Sequence, residues 1–260
     1  MARTADEYKQ LSIREFTKAA KVYESGHAGI YEMCKDDYPQ MLAELEREPF
    51  ADVLDVGCGT GAVIELLHEK YPDAHYVGLD LTPDMIAVAQ AKSLNGCEFV
   101  VGDAEDLPFP ANSFDAVLSS NSFHHYPNPE KFFAGVARVL RPGGRLILRD
   151  YTANDFAVWL MNTFELPLAR LAGHGDVRIL KQSQFRAMAE EAGLSVLAME
   201  AQKGWRAPGS TKIIILDAFM HSTSHTTSMA LGHNPLVQCC REPPVHIFSG
   251  GFAFVRMLFG

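Results

Sequence analysis

Residues Val53-Leu54-Asp55-Val56-Gly57-Cys58-Gly59-Thr60-Gly61 join a short apolar run to three alternate glycines. Glycine accepts φ > 0 and, lacking Cβ, lets a ligand come close to main chain, so the stretch has the makings of a nucleotide-binding turn. A phosphate-cradling loop of the Gly-Lys-Ser/Thr kind is excluded, because Ala62 and Val63 follow Gly61. A dinucleotide fingerprint wants G-x-G-x-x-G, whereas Gly57, Gly59 and Gly61 give G-x-G-x-G preceded by the acid Asp55. Downstream, Asp80 closes the apolar run from Tyr76. An acid at the end of a second strand is where a ribose diol is held, in NAD and in other adenosyl ligands alike.

More polar residues stand at the ends of apolar runs. Gly102-Asp103-Ala104 follows Cys97 to Val101; Asn121, His124 and His125 follow Phe114 to Ser119; Asp150 and Tyr151 close the run that starts at Arg145. A histidine of near-neutral pKa can take a proton from a hydroxyl or an activated carbon acid. His124, His125 and Asp150 are therefore the candidate catalytic groups, against the plainer reading of the histidine pair as loop and packing residues.

Positioning such groups takes alternating strands and helices. The sequence predicts a helix over Thr4 to Tyr23, a second over Gly29 to Glu48 kinked or split at Pro39, and strands at 53–56, 75–80, 97–101, 114–119, 145–151, 194–201 and 211–216. Between them lie a helix to about Tyr71, one opened by Thr82-Pro83, an amphipathic one carrying Phe132, Phe133, Val136, Val139 and Leu140, one over Asp155 to Leu171, and one capped by Ser183. The expected fold is α/β: a Rossmann-like, seven-stranded, mostly parallel sheet with helices on both faces and an antiparallel last strand.

Four blocks in this order, Asp55 to Gly61, Asp80, Gly102-Asp103-Ala104 with Leu107-Pro108-Phe109, and Val139-Leu140-Arg141-Pro142-Gly143-Gly144, make residues 16–219 closely resemble the class I S-adenosylmethionine (SAM) dependent methyltransferases. The resemblance runs in particular to small-molecule enzymes of the ubiquinone/menaquinone C-methyltransferase type. It implies SAM as cofactor, with Gly57, Gly59 and Gly61 giving close main chain, Asp80 the diol acceptor, and Asp55 a carboxylate facing the methionine end. It also implies Asp103 at the adenine amino group, Leu81 and Ala104 along the adenine, and Ser119 among the cofactor residues. The helices ahead of the first strand become a lid, with Phe16 and Tyr23 as its aromatic pair. The Asn/Asp-Pro-Pro-Tyr of enzymes that methylate exocyclic amines is missing; Ser120-Asn121-Ser122-Phe123 stands there instead.

Length and composition set further bounds. The 260 residues, 47% of them hydrophobic, suffice for one sizeable core. A net charge of −9 argues against a nucleic-acid partner. The charged N-terminus lacks a signal-peptide core and no run reaches a membrane span, so a soluble, cytoplasmic protein is expected. Cysteines 34, 58, 97, 239 and 240 show no ligand spacing, and no metal is expected. Three segments are expected: N-terminal helices at 1–48, a SAM-binding domain at 49–220, and an atypical extension at 221–260 with scattered histidines.

The expected activity is methyl transfer from SAM to carbon or oxygen of a small, apolar or aromatic metabolite. Phe156, Trp159, Phe164 and Trp205 are offered either as pocket lining or as core. Alternatives are N-methylation of a small amine and a non-catalytic SAM-binding role; an NAD oxidoreductase is disfavoured by the glycine spacing.

Overall fold

The computed structural model describes residues 3–25, 34–203 and 210–220. The start of the expected second helix, Trp205 and the whole 221–260 extension lie outside the described residues.

Helix α1 (Ala5–Ala19) opens on a capping box in which Thr4 Oγ1 accepts from the Glu7 N–H and the Glu7 carboxylate accepts from the Thr4 N–H, satisfying two end donors at once. It ends four residues short of Tyr23, with a tighter turn over Ala20–Val22. Helix α2 (Tyr38–Leu45) takes Pro39 into its first turn instead of being kinked by it, since no intrahelical N–H is lost there.

Strand β1 (Asp52–Val56) is buried on both faces and leads through the glycines into α3 (Ala62–Lys70). Then come β2 (His75–Asp80), α4 (Pro83–Ala91), β3 (Cys97–Val101), β4 (Phe114–Ser120), α5 (Pro129–Val139) and β5 (Leu140–Ala153). Thr82 precedes α4, but its hydroxyl makes no capping bond. The Thr82 N–H instead donates to Asp80 Oδ1 at 2.8 Å, so the acid at the end of β2 braces the start of α4. Pro142-Gly143-Gly144 is absorbed into β5 as an irregularity in its pairing with β4, and Gly143 sits at φ 87°.

The segment expected as one helix over Asp155 to Leu171 is broken into α6 (Asp155–Leu160), a wide π turn (Met161–Glu165) and α7 (Leu166–Leu171). Helix α8 (Gln182–Glu191) starts at Lys181, whose N–H donates to the Gln184 side chain; Ser183 is not its cap. Strands β6 (Leu194–Lys203) and β7 (Ser210–Met220) follow.

Among the described residues the strand order is β3-β2-β1-β4-β5-β7-β6. Neighbours from β3 to β5 pair in parallel, while β7 runs antiparallel to β5 and β6. This is the expected α/β, Rossmann-like arrangement. On one face α5 and α8 bury Phe132, Phe133, Val136, Phe185 and Ala189 against the sheet; on the other, Met41, Ile64, Leu67, Ile86 and Ala89 of α2, α3 and α4 do the same. Each large side chain so removed from water contributes about 1.5–3 kcal/mol. Buried ion pairs tie α2 and the turn before it to β5, Arg145 to Glu44 at 2.9 Å and Arg149 to Asp37 at 2.7 Å. No helix among the described residues is long and apolar enough to cross a membrane.

Candidate functional site

Parallel pairing puts the C-terminal ends of β1, β2, β3 and β4 along one edge, where an open α/β sheet receives ligands. A cavity of about 730 Å³, its open mouth included, lies on that edge. Helix α1 packs over it. Lys9, Ser12 and Phe16 line the cavity. The helix is held down by Lys9 against Asp103 (2.7 Å) and Glu105 (2.6 Å), by Thr17 to Asp84 at 2.8 Å, and by Glu15 to His174 at 2.6 Å.

Of the expected cofactor residues, Gly57, Gly59, Asp80, Leu81, Asp103, Ala104 and Tyr23 all line the cavity, and Phe16 joins Tyr23. The glycines differ in what they do. Gly59, at φ 54°, has open space where a Cβ would stand, so its main chain is the part that a ligand can approach. Gly57, at φ 76°, is wedged against Ser122, whose Cβ lies 2.4 Å from the position of an added Cβ. Gly61, also at φ 76°, does not line the cavity; it leaves room for the Phe99 ring and starts α3. Asp80 is doubly anchored, accepting from the Gly59 N–H at 2.9 Å through Oδ2 and from Thr82 through Oδ1.

Asp55 and Ser119 sit behind the cavity wall. Ser119 is wholly buried, its hydroxyl 3.1 Å from that of Ser122. Asp55 is buried with neither carboxylate oxygen hydrogen-bonded, and burial, then the nearby Asp80, pushes its pKa up to about 7. An orphaned buried acid beneath an open glycine turn, with a braced acid beside it, fits a ligand carrying an ammonium and a ribose diol. SAM carries both.

The candidate catalytic residues separate. Asp150 is fully buried and off the cavity. Its Oδ2 accepts from the His124 main-chain N–H at 2.9 Å, and its Oδ1 lies 2.7 Å from His124 Nδ1. His124 Nε2 faces Asp176 Oδ1 at 3.3 Å. Burial works against a charge on His124, yet Asp150 and Asp176 overcome it and hold the imidazolium pKa up at about 10. Both nitrogens are thereby occupied, and His124 does not line the cavity. His125 does. Burial, then the His124 cation, pushes its pKa below the ordinary range. One ring nitrogen is turned to the Gly175 carbonyl, and Nδ1 is buried with no partner, leaving a lone pair there. The Phe16 ring stands edge-on to the His125 ring, centroids 5.1 Å apart. Ligand-type atoms of His124, His125 and Asp176 lie within 4.8 Å of one another, a grouping that sequence spacing did not show.

Lys9, Glu105 and Asp176 are the site residues sequence reasoning missed. Lys9 looked like one of many surface charges on a helix, and Asp176 follows a Gly-His-Gly turn with no periodicity to flag it. Phe156, Trp159 and Phe164 prove to be neither pocket nor core: they are exposed, with Leu160, Leu168 and Leu171, along α6, the π turn and α7.

The methyltransferase-domain family matches residues 54–148. The sequence is 43% identical over 122 residues to a fatty-acid O-methyltransferase of Mycolicibacterium smegmatis, covering 46% of this chain and 44% of that one. It is equally similar, over the same length, to phthiotriol/phenolphthiotriol dimycocerosates methyltransferase 1 of Mycobacterium ulcerans, covering 45% of that protein. The match thus spans under half the length of either curated relative. Among solved structures, a Bacillus halodurans C-125 protein assigned as a methyltransferase is 32% identical. It superimposes over 64% of this chain and 72% of its own, with a TM-score of 0.57.

Proposed function

The chain belongs to the class I SAM-dependent methyltransferases, and on that footing we propose that it transfers a methyl group to carbon or oxygen of a small, apolar or aromatic metabolite. The observation that carries this reading is one cavity lined by residues that follow four neighbouring strands. Gly59 follows β1, Asp80 closes β2 and Leu81 follows it, Asp103 and Ala104 follow β3, and Asn121 and His125 follow β4, all of them on its lining. The names of the two relatives, one a fatty-acid O-methyltransferase and one a phthiotriol/phenolphthiotriol dimycocerosates methyltransferase, support an apolar acceptor. The finer likeness to ubiquinone/menaquinone C-methyltransferases belongs to this reading also.

When bound, SAM supplies an electrophilic methyl group on a sulfonium. The chain's own work is then to orient, to exclude water and to move one proton. Asp80 would hold the ribose diol, Asp55 would favour the ammonium from behind the cavity wall, and Asp103 would accept from the adenine amino group. Helix α1 covers the cavity through Lys9 and Phe16. His125, kept neutral by burial and by its cationic neighbour, lines the cavity and is the base for an acceptor that must lose a proton. His124, gripped by Asp150 and Asp176, fixes the loop that presents His125.

Calorimetry with SAM, its demethylated product and NAD tests the cofactor, and labelled methyl transfer to a panel of alkyl and aromatic acceptors tests the activity. Binding of SAM and its product with transfer to an apolar acceptor is the expected result. Tight product binding without transfer to any acceptor would show a non-catalytic SAM-binding protein, and binding of NAD alone would overturn the reading.

A further inference from the structure

Ligand-type atoms of His124, His125 and Asp176, one from each side chain, lie within 4.8 Å of one another. The two histidines sit side by side in the short turn Phe123–His125 after β4, and Asp176 reaches them from the loop between α7 and α8. His124 Nε2 stands 3.3 Å from Asp176 Oδ1. A charge-assisted hydrogen bond closes to about 2.7–2.9 Å, whereas two ligands on a tetrahedral ion, each about 2.0–2.1 Å from it, stand about 3.3–3.4 Å apart. This edge has the length of a metal-bridged pair, and the longer separations lie within a side-chain rotation of it.

Both histidines are also oriented as ligands are. A metal-binding imidazole gives one nitrogen to the ion and holds the other against a carboxylate or a main-chain carbonyl, which fixes the ring. His124 Nδ1 lies 2.7 Å from Asp150 Oδ1, and Asp150 Oδ2 accepts from the His124 main-chain N–H, so Nε2 is the nitrogen turned to Asp176. His125 turns one nitrogen to the Gly175 carbonyl, and its Nδ1, buried without a partner, keeps a lone pair. Charge favours a cation here as well. The carboxylates of Asp150, Asp176, Glu15 and Glu165 bear on the cluster, against the His124 cation and His174, which pairs with Glu15 at 2.6 Å. Acids outnumber the imidazoles that can offset them, and a dication makes up the difference.

We propose that His124, His125 and Asp176 form a site for a zinc-like divalent transition-metal ion, with a fourth position left to water, and that filling it inhibits methyl transfer. Two nitrogens and a carboxylate oxygen select such ions over magnesium and calcium, which ask for oxygen ligands. Entry is from the Asp176 side, where 25% of that side chain is exposed. As the ion binds, His124 Nε2 releases its proton to solvent and gives the freed lone pair to the metal. His125 gives its lone pair too and is lost as a base. The inhibition rests on the methyltransferase reading above, whereas the site stands on its own geometry.

The test uses the full chain, stripped with a chelator and titrated with Co²⁺ as a spectroscopic probe. Visible absorption of a four- or five-coordinate ion is expected, displaced by Zn²⁺ and not by Mg²⁺. Asp176→Asn should weaken Co²⁺ binding at least about tenfold, and Asp150→Asn, which leaves the His124 ring unbraced, by about 10–100-fold. Cys240→Ser, away from the cluster in sequence, should leave it unmoved, and SAM affinity checks that each variant is folded. Over the range in which it binds, Zn²⁺ should lower labelled methyl transfer at least about tenfold, with SAM affinity within about twofold, and the chelator should restore it. No Co²⁺ absorption, an affinity unmoved in Asp176→Asn, or a loss in Cys240→Ser instead overturns the site. Bound Zn²⁺ that leaves transfer intact overturns the inhibition. A filled site in a chain that binds SAM yet transfers no methyl group when metal-free supports the site and overturns the reading beneath it.

Discussion

Asp150 grips His124 twice, accepting from its main-chain N–H at 2.9 Å and standing 2.7 Å from its ring Nδ1. With Asp176 at 3.3 Å from the far nitrogen, the ring is a fixed cation between two carboxylates. Its proton is thus part of the loop's structure.

Stability should report that proton. The folded pKa of His124, at about 10, lies above the unfolded value of about 6.5, so the folded chain holds the proton more tightly. The stabilisation is fully present below pH ~6.5 and lost as pH rises towards 10. Denaturant midpoints of the unmodified chain should fall between pH 6 and pH 9 relative to those of His124→Gln, which lacks the titrating ring. Parallel behaviour of the two proteins would mean that the ring is not ionised.

His125 should behave in the opposite sense. Its pKa is depressed, so the base form persists through neutral pH and turnover should decline only on the acid side, below the ordinary histidine range. His125→Ala should lower kcat by on the order of 10²–10⁴-fold while leaving SAM affinity within about twofold. A pH–rate profile of the residual activity that keeps the acid limb would assign the base elsewhere.

The glycines give a paired experiment. Gly57→Ala drives a methyl to 2.4 Å from Ser122 Cβ at a φ of 76°, so overpacking of about 1–3 kcal/mol adds to left-handed strain of about 1–2 kcal/mol. Its melting temperature should drop sharply with or without ligand. Gly59→Ala, with open space around the new methyl, should suffer only the strain and fold. Its loss should be seen in SAM binding by calorimetry, because the methyl projects into the ligand's side of the turn.

These contrasts also show what could be read in the sequence and what could not. The Gly57-Cys58-Gly59 turn, Asp80 and Asp103 were legible because each sits where an apolar strand stops, and strand ends on a parallel sheet share one edge. Equivalence of the three glycines was misleading: periodicity places Gly61 beside the others, yet its missing Cβ serves Phe99 and the start of α3. The histidine pair was found, but adjacent residues of one kind carry no sign of which is clamped. That depended on Asp176, which lies in the loop between α7 and α8. The single helix expected over 155–171 failed for a related reason. Its large apolar residues suggested a buried stripe, yet a π turn at Met161–Glu165 interrupts the helix and the smaller Val158 and Leu166 are what it buries, with Phe156, Trp159 and Phe164 exposed.

Asp55 should couple cofactor binding to protons. Burial beside Asp80 raises its pKa from about 3.9 to about 7, so the folded chain binds a proton that the unfolded chain has shed, and stability declines as pH rises from ~4 through 7. Asp55→Asn removes the ionisable group, so its melting temperature should gain on the unmodified protein between pH 5 and pH 8, by on the order of 5 °C. A bound ammonium favours the carboxylate, so SAM binding at pH 7 should release a fraction of a proton. Titrations in buffers of different ionisation enthalpy measure that release directly. The same titrations with Asp55→Asn should show weaker binding and no Asp55-linked release. An undiminished release in Asp55→Asn would show that the proton comes from another group and that Asp55 does not face the cofactor's charge.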